Sequence, residues 1–111
     1  MELTDAVAAL SALAHPGRLE ILRLLVRTGA EGLPAGVIAR TTGALANTLS
    51  ANLNVLAAAG LVASRREGRS IIYTAAYDQI RELLAFLVED CCGGEPEICG
   101  LLAEVASKAC S

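Results

Sequence analysis

Aromatic residues are almost missing from this chain of 111 residues, which has no tryptophan, one phenylalanine and two tyrosines. β-Branched residues are also few, so the side chains that normally build the faces of a sandwich or barrel are in short supply. Long apolar runs are absent as well. The longest, residues 55–63, is interrupted by Gly60 and falls far short of the roughly 20 residues that span a bilayer. The first five residues, Met1-Glu2-Leu3-Thr4-Asp5, are acidic where a secretory or transit leader would be basic. The expectation is a cytoplasmic protein with no membrane segment. Histidine occurs once, at His15, and no serine or cysteine has a histidine base in a recognisable motif. Without a phosphate-cradling glycine loop either, the sequence argues against an enzyme and against an organic cofactor.

What the chain has in quantity is alanine, 21 residues, and leucine, 18. Both enter a helix at little cost in side-chain entropy, so the expected fold is mainly α. The length suits one domain, residues 1–111, and is too short for two. A first helix, capped by Thr4, places Val7, Leu10 and Leu13 inward at helical spacing and stops at His15-Pro16. A second opens with Pro16 and runs to about Thr28, with Leu19, Leu22, Leu25 and Val26 inward. Gly29 and Gly32 end it. Pro34 starts a short third helix to about Arg40, and Thr41-Thr42-Gly43 turns the chain into a fourth, from about Ala44 to Ala59.

That fourth helix has two unlike faces. Leu45, Leu49, Leu53 and Leu56 line one; Asn47, Ala51, Asn54 and Ala58 line the other. A solvated stripe usually carries lysine and glutamate, so a face of amides and small side chains reads as reserved for contact. After Gly60 come two strands, Leu61 to Arg66 and Ser70 to Thr74, around a tip of Glu67-Gly68-Arg69. Tyr73 and Tyr77 at the hairpin's exit read as core. A fifth helix from about Ala76 to Cys91 turns Ile80, Leu83, Leu84 and Leu87 inward, Gly93-Gly94 breaks it, and a sixth runs from about Glu97 to Ala109.

The net charge of −3 hides a division along the chain. Residues 32–77 hold Arg40, Arg65, Arg66 and Arg69 against Glu67 alone, whereas residues 78–111 hold seven acids against Arg81 and Lys108. Two helices joined by a short glycine-containing turn, followed by a basic hairpin, match a winged helix-turn-helix. The DNA-binding unit then covers about residues 34–74. Asn47, Thr48, Ser50 and Asn54 would meet bases and phosphates in a major groove, and Arg65, Arg66 and Arg69 the phosphate backbone. Arg40 is a lesser phosphate candidate. So few basic residues call for a homodimer on double-stranded DNA, with two half-sites about one helical turn apart.

Three segments in order, Leu13-Ala14-His15-Pro16-Gly17-Arg18-Leu19-Glu20-Ile21-Leu22, residues 49–62, and Arg65-Arg66-Glu67-Gly68-Arg69-Ser70-Ile71-Ile72-Tyr73, closely resemble the ArsR/SmtB family of metal-responsive repressors. The resemblance covers about residues 5–90. It implies a dimeric winged-helix repressor, paired through its first and last helices, that leaves its operator when an inducer binds. Two departures stand out. Asn52 occupies a position where the family usually has histidine, at the rim of the inward face, and reads as packing or backbone bonding. The Cys-x-Cys pair that many arsenic sensors carry at the start of the third helix is replaced by Leu33-Pro34-Ala35-Gly36-Val37-Ile38-Ala39. His15, before Pro16, reads as a packing or capping residue.

All four cysteines lie instead in the last 21 residues, at Cys91, Cys92, Cys99 and Cys110. Clustered thiols in a cytoplasmic chain point to metal, metalloid or redox chemistry more than to structural disulfides. Cys91, Cys92 and Cys99 form a soft three-sulfur set with no obvious histidine or carboxylate partner. Such a set suits As(III) or Sb(III), which bind three thiolates in a pyramid, whereas structural zinc asks for four ligands. The C-terminal region, about residues 89–111, is thus the expected inducer site of an arsenic-responsive repressor. A persulfide- or oxidant-sensing repressor, or a zinc or cadmium sensor of the same fold, uses the same thiols. A thiol-based metal carrier without a DNA role would leave the uncharged helix face and the arginine-tipped hairpin unexplained.

Overall fold

The computed structural model describes residues 1–88 and, beyond them, Gly100, Glu104, Val105, Ser107 and Lys108. Its elements follow the order α1 (Leu3–Leu13), α2 (Pro16–Thr28), β1 (Leu33–Pro34), α3 (Ala35–Thr42), α4 (Ala46–Ala58), β2 (Val62–Glu67), β3 (Ser70–Ala75) and α5 (Tyr77–Leu87). The helices pack around Ile21, Leu25, Ile38, Leu56 and Leu61, all fully buried, and the small sheet closes one end. The fold is the expected mainly α winged helix-turn-helix.

The break between α1 and α2 is built by one short motif. His15 is extended and its Nδ1 accepts from the backbone N–H groups of Gly17 and Arg18, capping α2 where Pro16 has no N–H to offer. Arg18 then donates from Nε to the carbonyl of Ala12, 2.6 Å away, and ties the end of α1 to the start of α2. His15 is therefore a cap. His15→Ala should lower stability by about 1 kcal/mol, the usual loss for an N-cap, while His15→Asn should stay within a few tenths. Urea unfolding of the three proteins checks this, and equal loss in both variants would mean that the ring acts through packing.

The inward faces differ from expectation in several places. Along α1 the buried residues are Ala6, Ala9 and Ala12, whereas Val7 and Leu10 are exposed. Small side chains let α1 approach the bundle closely; Leu3, Val7 and Leu10 face outward, while Leu13 packs partly against the core as expected. In α2, Ile21, Leu22 and Leu25 are buried and Leu19 and Val26 are exposed. In α5 Leu83 is buried, Ile80 packs partly, and Leu84 and Leu87 are exposed. Residues 89–91, expected to complete that helix, and the break and most of the sixth helix lie outside the described residues.

The sheet has three strands rather than two, in the order β1-β3-β2 and antiparallel throughout. β1 was not expected, because two residues carry no alternation and Pro34 reads as a helix start. Pro34 is instead the N-cap of α3 and pairs with Ile72 from an edge strand, where a missing N–H is tolerated. The α1 helix begins two residues earlier than Thr4 implies, with Glu2 as cap and a reciprocal bond from its N–H to Asp5.

Candidate nucleic-acid interface

Helices α3 and α4 meet across a three-residue turn, residues 43–45. Thr41 and Thr42 belong to α3, where each hydroxyl donates to the carbonyl four residues back, Val37 and Ile38. Gly43 ends α3 in the left-handed region at φ 75°, its N–H donating to the carbonyl of Ala39 at 2.8 Å. Glycine adopts that conformation without the steric cost that a Cβ would incur. Leu45, expected on the inward face, is the extended N-cap of α4 and is 78% exposed. It contributes no capping side chain, so the first-turn N–H groups of α4 are open to an acceptor such as phosphate.

The remainder of α4 follows the expected division. Leu49, Leu53 and Leu56 are buried, and Asn47, Thr48, Ser50, Ala51 and Asn54 are exposed. Asn47 and Asn54 are seven residues apart, about 10.5 Å along the axis at 1.5 Å per residue, with Ala51 between them on the same stripe. No residue from 41 to 64 carries a charge. Asn52 is buried, and its Nδ2 would lie 3.1 Å from a Cβ added at Gly17. Its amide thus packs the back of α4 against the start of α2, as expected of a packing residue.

The hairpin separates the three arginines that the sequence groups together. Arg65 pairs with Ile72 and Arg66 with Ile71, so the two point to opposite faces of the ribbon. Arg66 shares its face with Ile71 and Tyr73, which line an open cleft with Arg69 and with Pro34, Ala35 and Gly36 at the start of α3. Neither Arg66 nor Arg69 makes a hydrogen bond or ion pair with a described residue, so both are available to an outside anion. Arg65 is already engaged. It donates from Nη1 to the carbonyl of Ala30 at 3.2 Å and from Nη2 to that of Glu31 at 2.7 Å, and Glu67 lies 3.6 Å away. Parity along a strand was the signal that distinguishes Arg65 from Arg66. Arg40, in the last turn of α3, is exposed.

An uncharged helix face, together with a wing whose Arg66 and Arg69 bond no described residue, has the form of a duplex-DNA reader. Comparison with known proteins agrees. Residues 13–65 match the helix-turn-helix domain family model. The transcriptional regulator YgaV of Escherichia coli is 35% identical over 83 residues, covering 75% of this chain and 82% of the relative. Among solved structures, the homodimeric winged helix-turn-helix DNA-binding domain of a possible ArsR-family transcriptional regulator from Mycobacterium bovis is 39% identical, with a TM-score of 0.63 over 80% of this chain and 82% of that one. The chain belongs to the ArsR/SmtB family of transcriptional regulators. An uncharacterized helix-turn-helix regulator of Mycobacterium tuberculosis is 42% identical over 73 residues, and there the chain spans 62% of the relative's length.

α4 is the second helix of the helix-turn-helix and β2-β3 its wing. The third-helix position that lacks cysteine is now seen to be the N-terminus of α3, with Pro34 as its cap and Ala35, Gly36 and Val37 in its first turn. Among the described residues no three histidine, cysteine or acidic side chains gather as metal ligands. Cys91, Cys92, Cys99 and Cys110 all lie outside the described residues, and none of the described helices is long and apolar enough to cross a membrane.

Proposed function

We propose that the protein is a dimeric repressor that holds operator DNA through α4 and the wing and releases it when trivalent arsenic or antimony binds Cys91, Cys92 and Cys99. The DNA half of this reading is carried by the uncharged exposed face of α4, Asn47 to Asn54, in a fold whose wing offers Arg66 and Arg69 without a partner among the described residues. Two copies are needed to supply enough phosphate contacts. Leu3, Val7 and Leu10 on α1 and Leu84 and Leu87 on α5 are apolar and exposed in the single chain, and they suit the pairing through terminal helices that the family resemblance implies.

The donor set carries the inducer half. Arsenous acid and three thiols give a tris-thiolate and three waters, each thiol proton leaving with one hydroxide, so no oxidant is required. Soft sulfur donors select such an ion over hard cations. The tail joins the chain at α5, and a pull on α5 alters the spacing or angle of the two α4 helices across the dimer. A coupling of about 1 to 3 kcal/mol per site is typical of such linkage.

Operator-release titrations test the proposal. Arsenite should displace the parent protein from a labelled operator, and Cys91→Ser, Cys92→Ser and Cys99→Ser should each raise the required concentration at least tenfold while operator affinity without arsenite stays unchanged. Release of all three variants at the parent's concentration would remove the cysteines from the site. Release by persulfide or peroxide but not by arsenite would identify a two-thiol redox sensor.

A further inference from the structure

We propose that Arg65 is a positioning residue that mounts the wing on the bend between α2 and β1, and that α5 holds the same bend through Tyr77. The inference rests on the DNA-binding reading above but concerns how the wing is aimed. Arg65 stands on β2, the strand farthest from β1, yet its guanidinium reaches the carbonyls of Ala30 and Glu31 across the face occupied by Ile72. The planar fork of arginine suits two neighbouring acceptors at once, and Glu67 beside it holds the charge in place. The bend is firm on its own account. Gly32 lies against β3, and Leu33 pairs with Tyr73.

The other side of the bend is tied to α5. The Tyr77 hydroxyl donates to the carbonyl of Val26 at 2.9 Å, in the last turn of α2, and approaches that of Leu25 at 3.5 Å. Tyr77, expected in the core, is thus half-exposed and joins the first turn of α5 to the end of α2. Residues 26–31 carry both attachments. A shift of α5 therefore reaches the carbonyls that Arg65 grips, and with them the angle at which Arg66 and Arg69 meet phosphate.

The test compares the full-length parent with R65Q, R65K, R66Q, Y77F and R65Q/Y77F on a labelled duplex, measuring affinity over a range of salt. Each phosphate contact contributes a slope of about 0.9 in log K against log salt. R66Q should lower the slope by about 2 for a dimer. R65Q should weaken binding about tenfold with the slope unchanged, and R65K should recover part of the loss. A slope falling in R65Q as in R66Q would make Arg65 a phosphate ligand and overturn the proposal, as would unchanged affinity. Additive losses in the double variant would sever the link to Tyr77. Hydrogen exchange without DNA gives an independent reading: amides of residues 30–33 and 71–74 should exchange faster in R65Q than in R66Q. If the parent binds no duplex, the function above fails while this exchange contrast still decides the role of Arg65.

Discussion

Gly32→Ala should destabilise the protein by about 2 to 5 kcal/mol and weaken operator binding with it. Two effects add. Gly32 has φ +70°, where an L side chain costs about 1 to 2 kcal/mol. A Cβ there would also stand 2.5 Å from the carbonyl oxygen of Tyr73 and 2.7 Å from Cγ2 of both Ile72 and Thr74. The oxygen belongs to β3 beside the Leu33 to Tyr73 pairing, so it cannot retreat without opening the sheet. Overpacking of this sort costs a further 1 to 3 kcal/mol or so, against a total stability of about 5 to 15 kcal/mol for a typical domain. Gly29→Ala is the natural comparison: φ is +90°, but nothing lies within 4 Å of the added carbon. It should lose only the conformational part. Thermal unfolding of both variants separates the two effects, and equal losses would show that the close approach to β3 is not the deciding contact.

That bend also marks where sequence reasoning runs short. The glycines at 29 and 32 announce an interruption, but nothing in a two-residue strand ending in proline announces a third strand, because β1 is fixed by its partner Tyr73 some 40 residues away. The elements with strong local period were legible: Leu49, Leu53 and Leu56 at helical spacing, the cap and proline at His15-Pro16, and the glycine tip of the wing. Orientation within α1 was not. Hydrophobic size points to Val7 and Leu10 as inward residues, yet helix packing at close range selects Ala6, Ala9 and Ala12 and leaves Val7 and Leu10 on the outside of the single chain. The division of roles between Arg65 and Arg66 was available from strand parity alone. Which carbonyls Arg65 would find was not, since they come from a loop 34 and 35 residues earlier.

The sharpest separation of stability from function is expected at Ala51. It sits exposed in the middle of the α4 stripe between Asn47 and Asn54, one turn from each, whereas Leu49, Leu53 and Leu56 are the buried side of the helix. Glutamate is a good helix former, so Ala51→Glu should change folding stability by no more than about 0.5 kcal/mol. On DNA the same change puts a carboxylate into the groove from each protomer, beside phosphates that already repel it. Like charges brought together at an interface cost several kcal/mol, and two copies act at once. Operator affinity should fall more than about 100-fold, or roughly 3 kcal/mol. Ala51→Gln keeps the size without the charge and should lose much less, about tenfold, since its amide can still pair with a base edge. Anisotropy titrations at matched salt, beside urea unfolding of the same samples, give both quantities. If Ala51→Glu bound operator as tightly as the parent while folding normally, α4 would not be the helix that enters the groove, and the uncharged stripe from Asn47 to Asn54 would need another partner.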